Sequence, residues 1–197
     1  ITIDRGRLFE ICRIMEQAKL PVKFKISARV DTVKPKLLEA LKRAGCYRIH
    51  YGVETATPRL LRYLQKQTTP EKIAQAFRWT HDVGIGTFAY CMIGIPTETR
   101  QEMMNTVDFA IALDPDFAQF SICTPYPQTA LYKSMLAMGH IDADVWREFA
   151  SNPSEDYRVR FWNSLYTEDE LRDLQGEAHR RFYGRISFVA RQLRRVS

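Results

Sequence analysis

Hydrophobic positions along this chain alternate between a helical period and short β-rich runs as far as about residue 125. Leu8, Ile11, Cys12 and Met15 share one face of a helix predicted from about Gly6 to Lys19, with Asp4 as its cap and Leu20-Pro21 as its stop. The run "VKFKISA" predicts a strand, "KPKLLEALKRAG" a short helix closed by Gly45, and "YRIHYGV" the next strand. Helix "PRLLRYLQK" leads to a longer one in which Thr69 is placed to cap, Pro70 takes the first turn and Gly84 ends it. "GTFAYCMI" predicts a third strand, the loop "GIPTETRQE" opens the helix "EMMNTVDFAIALD", and Asp114-Pro115 stops it before a fourth strand, "FAQFSIC". Strands separated by helices of about ten or more residues imply crossover connections and a parallel sheet, so the fold class is α/β.

Beyond Pro127 the pattern changes. A helix "ALYKSMLAMG" is followed by an irregular aromatic-rich stretch to about Tyr166, then by a helix opening at the capping-box sequence "TEDE". The chain therefore divides into residues 1–127, alternating strand and helix, and a mainly helical extension over 128–197. With 197 residues, 45% hydrophobic and 26% charged, the composition is that of a folded domain with a sizeable core. No run of about 18 apolar residues predicts a transmembrane segment, and "ITIDRGRLFE" lacks the pattern of a signal peptide, so the chain reads as cytoplasmic. It begins without methionine at the approach to a helix and reads as a fragment of a longer protein.

Charge and cysteines narrow the chemistry. The net charge is +6, and Arg180 to Arg195 contains six arginines and no acid. That tail could serve RNA or an anionic lipid surface. Phe182, Ile186, Val189 and Leu193 nevertheless recur at helical spacing, which favours a helix docked on the core with a solvated basic face. Cys12, Cys46, Cys91 and Cys123 lie far apart and read as buried thiols, and His50, His81, His140 and His179 show no ligand spacing. "GIGTF" matches neither a dinucleotide nor a phosphate-binding glycine loop.

In parallel α/β folds ligands gather at the C-terminal ends of the strands. Here those ends carry Arg29 and Asp31, then Gly52 and Glu54, then "GIPTET" with Gly94, Pro96 and Glu98, then "TPYPQT". Glu54 can accept from a ribose diol or cap the next helix. Arg29 offers a planar fork to an anion or pairs with Asp31 or Glu54. Lys66 can meet a carboxylate or only complement a helix end. Gly94 and Pro96 suit either the approach of a flat ring or an empty tight turn, and Tyr126, between two prolines, suits stacking or core packing.

The ordered set "RVDTVKPKLLEALKRAGCYRIHYGVET", Lys66, "MIGIPTET" and "TPYPQTALY" resembles the radical S-adenosylmethionine (SAM) enzymes over about residues 1–135, most closely the cobalamin-binding branch that includes anaerobic magnesium-protoporphyrin monomethyl ester cyclase. The resemblance implies a partial β/α barrel, TIM-like, comprising family strands three to six. It implies that Glu54 faces the cofactor ribose, that Lys66 approaches the methionine carboxylate, and that Arg29 is the basic residue after strand three. Tyr90, Gly94 and Ile95 fall in the strand-five motif, and Thr124 and Tyr126 in the segment bordering adenine.

The family's CxxxCxxC loop, which binds a 4Fe-4S cluster, and strands one and two are absent and are expected upstream of Ile1, with any cobalamin domain. Other departures are Thr97 and Gln128, where glycine is frequent, and Thr55-Ala56 after the GVE motif, where Ser-Gly is common. The family reaction is reductive cleavage of SAM to methionine and a 5'-deoxyadenosyl radical that takes hydrogen from substrate. The implied partners are a small-molecule substrate such as a tetrapyrrole and a reductant protein, not nucleic acid, and the outcome is cyclisation or methylation. The rival readings are a non-radical nucleotide-binding α/β enzyme and an RNA- or membrane-surface module built on the basic tail.

Overall fold

The computed structural model describes residues 4–139, 145–155, 161, 163 and 165–196. Helix α1 (Arg5–Gln17) leads into β1 (Phe24–Ala28), α2 (Pro35–Arg43), β2 (Cys46–Glu54), α3 (Pro58–Tyr63) and α4 (Pro70–Asp82). There follow β3 (Gly86–Ile93), α5 (Arg100–Leu113), β4 (Phe117–Ile122), α6 (Ala130–Ala137), α7 (Val145–Ser151), α8 (Glu168–Tyr183) and α9 (Ile186–Val196). The four strands form one sheet in sequential order, every pair parallel. The sequence did not single out α7, which lies in the stretch read as irregular.

Local chemistry explains the boundaries. The Asp4 carboxylate accepts from the Arg7 N–H at the start of α1, and the Thr69 hydroxyl caps α4 with Pro70 in its first turn. Thr99 with Glu102, and Thr167 with Glu170, each complete a reciprocal capping box that opens α5 and α8. Gly45 turns at φ 102°, where a Cβ would lie 2.3 Å from the Val22 carbonyl oxygen, so the exit from α2 admits only glycine.

The two faces of the sheet differ in kind. Ile49, Tyr51, Val53, Ala89, Cys91, Ile93, Ala118, Phe120 and Ile122 point to one side and are buried under helices. Alternation sends Arg48, His50, Gly52, Phe88, Tyr90, Met92, Gln119 and Ser121 to the other side. That second face is polar and aromatic, with Tyr90 partly exposed and Phe88 stacked on His50 at 4.8 Å. Helix α8 joins the packed side, where Leu171, Leu174, Ala178 and Phe182 enter the same core as the strands. Each such buried Leu or Phe contributes about 1.5–3 kcal/mol.

The tail departs from expectation. The chain breaks helix at Gly184 and restarts as α9. Phe182 is buried on α8 and Phe188 anchors α9, whereas Ile186, Val189 and Leu193 are 87%, 48% and 68% exposed. The expectation that these three dock on the core is overturned, because the break shifts the inward face to Phe188. Two arginines of the run are engaged: Arg181 pairs with Asp108 at 2.6 Å, and Arg185 sits over the Phe182 ring at 4.3 Å.

Among the described residues six non-glycines have left-handed backbones, and two of them, Thr97 (φ 67°) and Gln128 (φ 65°), occupy positions where the resembling family often has glycine. The departures from that pattern thus carry a conformational cost. Gln128→Gly is expected to stabilise the chain by about 0.5–1 kcal/mol, the left-handed penalty less the entropy that glycine adds to the unfolded chain. Thr97→Gly should gain less, because the Thr97 hydroxyl accepts from Arg59 at 3.0 Å. Urea denaturation of the two variants beside the parent measures both.

Candidate functional site

Strand β2 ends in a bent acid. Glu54 is left-handed at φ 63°, and the register with β3 shifts between Gly52 and Glu54. The bend folds the carboxylate back over the strand, so that a Cβ on Gly52 would lie 2.7 Å from Glu54 Oε1. Lys66, one helix further along, donates from Nζ to that same oxygen at 2.7 Å. The Glu54 side chain is only 15% exposed and Lys66 40%. A strained backbone carrying a half-sheltered charge at a strand end is the kind of feature that clusters in ligand sites. Behind it, the Thr55 hydroxyl meets that of Thr106 at 3.1 Å, and Thr106 also accepts from the Ala56 N–H. Thr55 therefore supplies a hydroxyl anchor from β2 to α5.

Beside this pair, Arg29 and Lys66 line one small cleft with Ala28, Asp31, Gly52 and Thr68. Arg29 is held by Asp31 through two hydrogen bonds of 2.9 and 2.7 Å, which keeps the Asp31 carboxyl below its ordinary range. The pairing alternative for Arg29 is thus realised, with Asp31 and not Glu54. Tyr90 sits opposite Gly52 on β3, its hydroxyl 3.2 Å from His50 Nδ1.

The turn after β3 is clasped from three directions. Gly94 has φ 70°, and a Cβ there would come within 2.9 Å of Leu171 on α8. Asn163 donates to the Ile95 carbonyl at 2.9 Å, and Arg59 from α3 donates to the Thr97 carbonyl at 2.8 Å. Ile95 is fully buried with Leu60 and Cys123. Glu98 is also fully buried; its Oε2 accepts from the Ile95 N–H at 3.1 Å. Sequence reasoning missed Arg59, Asn163, Thr106 and Leu171, which carry no motif of their own. The capping box of α8 marked where that helix begins but not what it covers.

The fourth strand end is looser. The Thr124 hydroxyl donates to the Ile122 carbonyl at 3.0 Å. Tyr126 is exposed and lies against Trp146 with ring centroids 5.4 Å apart, so its partner is α7 and not the core. The contacts described bring together Glu54 and Lys66, and Lys66 with Arg29 across the cleft; they do not join Tyr126 to that group.

Among the described residues no group of three His, Cys, Asp or Glu side chains is placed to hold a metal ion. The four cysteines are buried free thiols, as expected, and burial pushes Cys46 up to about 11 and Cys123 up to about 12. His81 and His179 bond to Thr87 and to the Gln175 carbonyl, while His140 lies outside the described residues. No helix among the described residues is long and apolar enough to cross a membrane.

Over 150 residues the chain is 34% identical to an uncharacterized methyltransferase of Pyrococcus horikoshii, covering 76% of this chain and 33% of that protein. It is 33% identical to the anaerobic magnesium-protoporphyrin IX monomethyl ester cyclase of Cereibacter sphaeroides, over 68% of this chain and 22% of that one. The chain thus spans a third or less of the length of these curated relatives. Among solved structures, the radical SAM methyltransferase TsrM of Kitasatospora setae, with cobalamin and a 4Fe-4S cluster bound, superposes at a TM-score of 0.59 and 22% identity. That match covers 66% of this chain and 27% of TsrM and shares the fold, a TIM-like barrel of which the four parallel strands are an open part. The Radical SAM superfamily profile matches residues 2–110, more than half of the chain and every strand end that carries the Glu54–Lys66 pair and the Gly94 turn, and the chain belongs to that superfamily.

Proposed function

We propose that this chain seats SAM for a radical SAM enzyme that methylates or cyclises a small molecule. The Glu54–Lys66 ion pair carries the reading. Two groups of opposite charge, 2.7 Å apart at a strand end, match a ligand that has a diol at one end and a carboxylate at the other. The ribose hydroxyls donate to Glu54 and the methionine carboxylate accepts from Lys66, so the ligand replaces both halves of the pair. Splitting a partly exposed pair costs about 0–1 kcal/mol, little beside the charge-assisted bonds that replace it. Arg29, turned to Asp31, flanks the carboxylate end. Tyr90, Gly94, Ile95, Thr124 and Tyr126 border the nucleoside, and residues 128–197 form an extension whose α8 braces the Gly94 turn.

The described residues do not fit a 4Fe-4S cluster, since the cysteines are singly buried and no ligand trio converges. A cluster held by other segments of the enzyme would supply the electron for cleavage of the sulfonium bond. The part of this chain is to orient the sulfonium and to shield the site from water. Cluster ligands and any cobalamin domain are expected in other segments of the enzyme, and a reductant protein is the implied partner. The reading carries with it a cytoplasmic setting, and the similarity to a magnesium-protoporphyrin cyclase supports a tetrapyrrole-like substrate. The basic-tail reading, for nucleic acid or membrane, is not favoured, because Arg181 and Arg185 already serve internal contacts.

Two measurements test this. After anaerobic reconstitution, the 197-residue chain alone should retain no stoichiometric iron or sulfide, and a full 4Fe-4S complement would contradict the assignment. In the reconstituted full-length enzyme, Glu54→Gln and Lys66→Met should each weaken SAM binding by calorimetry about tenfold or more, roughly 1.4 kcal/mol. Unchanged affinity in both, with circular dichroism intact, sinks the seating roles.

A further inference from the structure

The polar and aromatic face of the sheet is largely unused by the reading above. Strand register places Lys25, Arg48, His50, Phe88 and Phe117 on it together with Gly52 and Tyr90. Toward the strand starts this face is cationic. Before the Glu54 bend none of the four strands contributes an acid to it, and Asp116, beside Gly86 at its foot, accepts from the Thr87 N–H at 3.0 Å. Among the described residues neither Lys25 nor Arg48 forms an ion pair. The half-buried Arg48 guanidinium lies over the Phe117 ring at 4.7 Å, and its Nε is enclosed without a hydrogen-bond partner. His50, two residues further on, is 9% exposed; Nδ1 meets the Tyr90 hydroxyl at 3.2 Å, and Nε2 has no partner either. Burial first, then the charges of Lys25 and Arg48, hold that imidazole below its ordinary range, which keeps it neutral. Two enclosed nitrogens without partners on one face of one strand carry a desolvation cost that an anion laid against the guanidinium offsets.

Between this cationic foot and the cofactor end runs an aromatic strip. His50 stacks on Phe88 at 4.8 Å, and Phe88 in turn lies 4.8 Å from Tyr90 and 6.4 Å from Phe117. The strip is continuous with the cofactor cleft, because Gly52, the next residue of the same row after His50, lines that cleft with Arg29 and Lys66. At about 3.3 Å per residue, Arg48 lies roughly 13 Å along the strand from Gly52. We infer that this face is the substrate platform, and that its substrate is a broad, flat, conjugated ring system with a carboxylate on the side remote from the reacting carbon. The carboxylate pairs with Arg48 and Lys25, the ring lies on the His50–Phe88 strip, and the reacting edge reaches the Gly52 end. A substrate of amino-acid size is too short to occupy both ends. The inference rests on the SAM reading for which end reacts, not for the anion anchor.

The test uses the reconstituted full-length enzyme and two probes, protoporphyrin IX and its dimethyl ester, whose binding is followed by porphyrin fluorescence. SAM affinity is measured by calorimetry alongside, and L-tryptophan serves as a short aromatic competitor. The wild type should bind the free acid about tenfold more tightly than the ester, the size of one charge-assisted contact. Arg48→Met should weaken the acid about tenfold and the ester less than about twofold, with SAM affinity unchanged. Phe88→Ala should weaken both probes alike, and tryptophan should displace neither. Equal binding of acid and ester by the wild type overturns the inference; that is the outcome if an acid from another segment of the enzyme already occupies Arg48. Equal losses of both probes in Arg48→Met, displacement by tryptophan, or no porphyrin binding at all overturn it too. If SAM does not bind, the seating reading fails, and the preference for acid over ester still decides the role of this face.

Discussion

Parallel strand pairing is the constraint on which everything else depends. Neighbours that run in the same direction cannot be joined by tight turns, so each connection must climb back over the sheet. In this chain the returns are helices α2, α3 with α4, and α5, which cover the face carrying Ile49, Tyr51, Ala89 and Phe120. The same constraint places all four strand ends along one edge. Residues as distant in sequence as Arg29, Glu54, Gly94 and Thr124 come to that edge because of chain direction alone, and the chemistry has no other edge on which to gather.

Most of the fold was legible because it rests on local chemistry. The boundaries of β3, Asp4 and Thr69 as caps, Gly45 as a stop and the TEDE box all emerge from residues within a few positions of one another. The strand ends were legible as well, since alternation and turn residues mark them. What could not be read were contacts between remote segments. Nothing in the sequence tied Leu171 to Gly94, Asn163 to Ile95, or Thr106 to Thr55. The tail failed for a related reason: a helical period drawn through Phe182, Ile186, Val189 and Leu193 ignores the break at Gly184, and a single break rotates the buried face.

The site was legible in composition but not in state. From the sequence Glu54 and Lys66 were separate candidates, each with a modest explanation; in the fold they are each other's partner. The left-handed bend at Glu54 goes with this, since it folds the carboxylate back over Gly52 and within 2.7 Å of Lys66. Arg29 shows the opposite case, a candidate whose charge is already matched by Asp31 two residues away. Charge type alone did not separate the two; backbone conformation did.

The contact between Gly94 and Leu171 carries one further implication. A side chain at 94 would occupy the space that Leu171 now fills, so the two positions share a fixed volume. Any residue with a Cβ at 94 meets two obstacles together, the left-handed backbone at φ 70° and the Leu171 side chain. The helical extension is therefore not free to diverge as an independent module: its inheritance is bound, through a single leucine, to that of the strand end it covers.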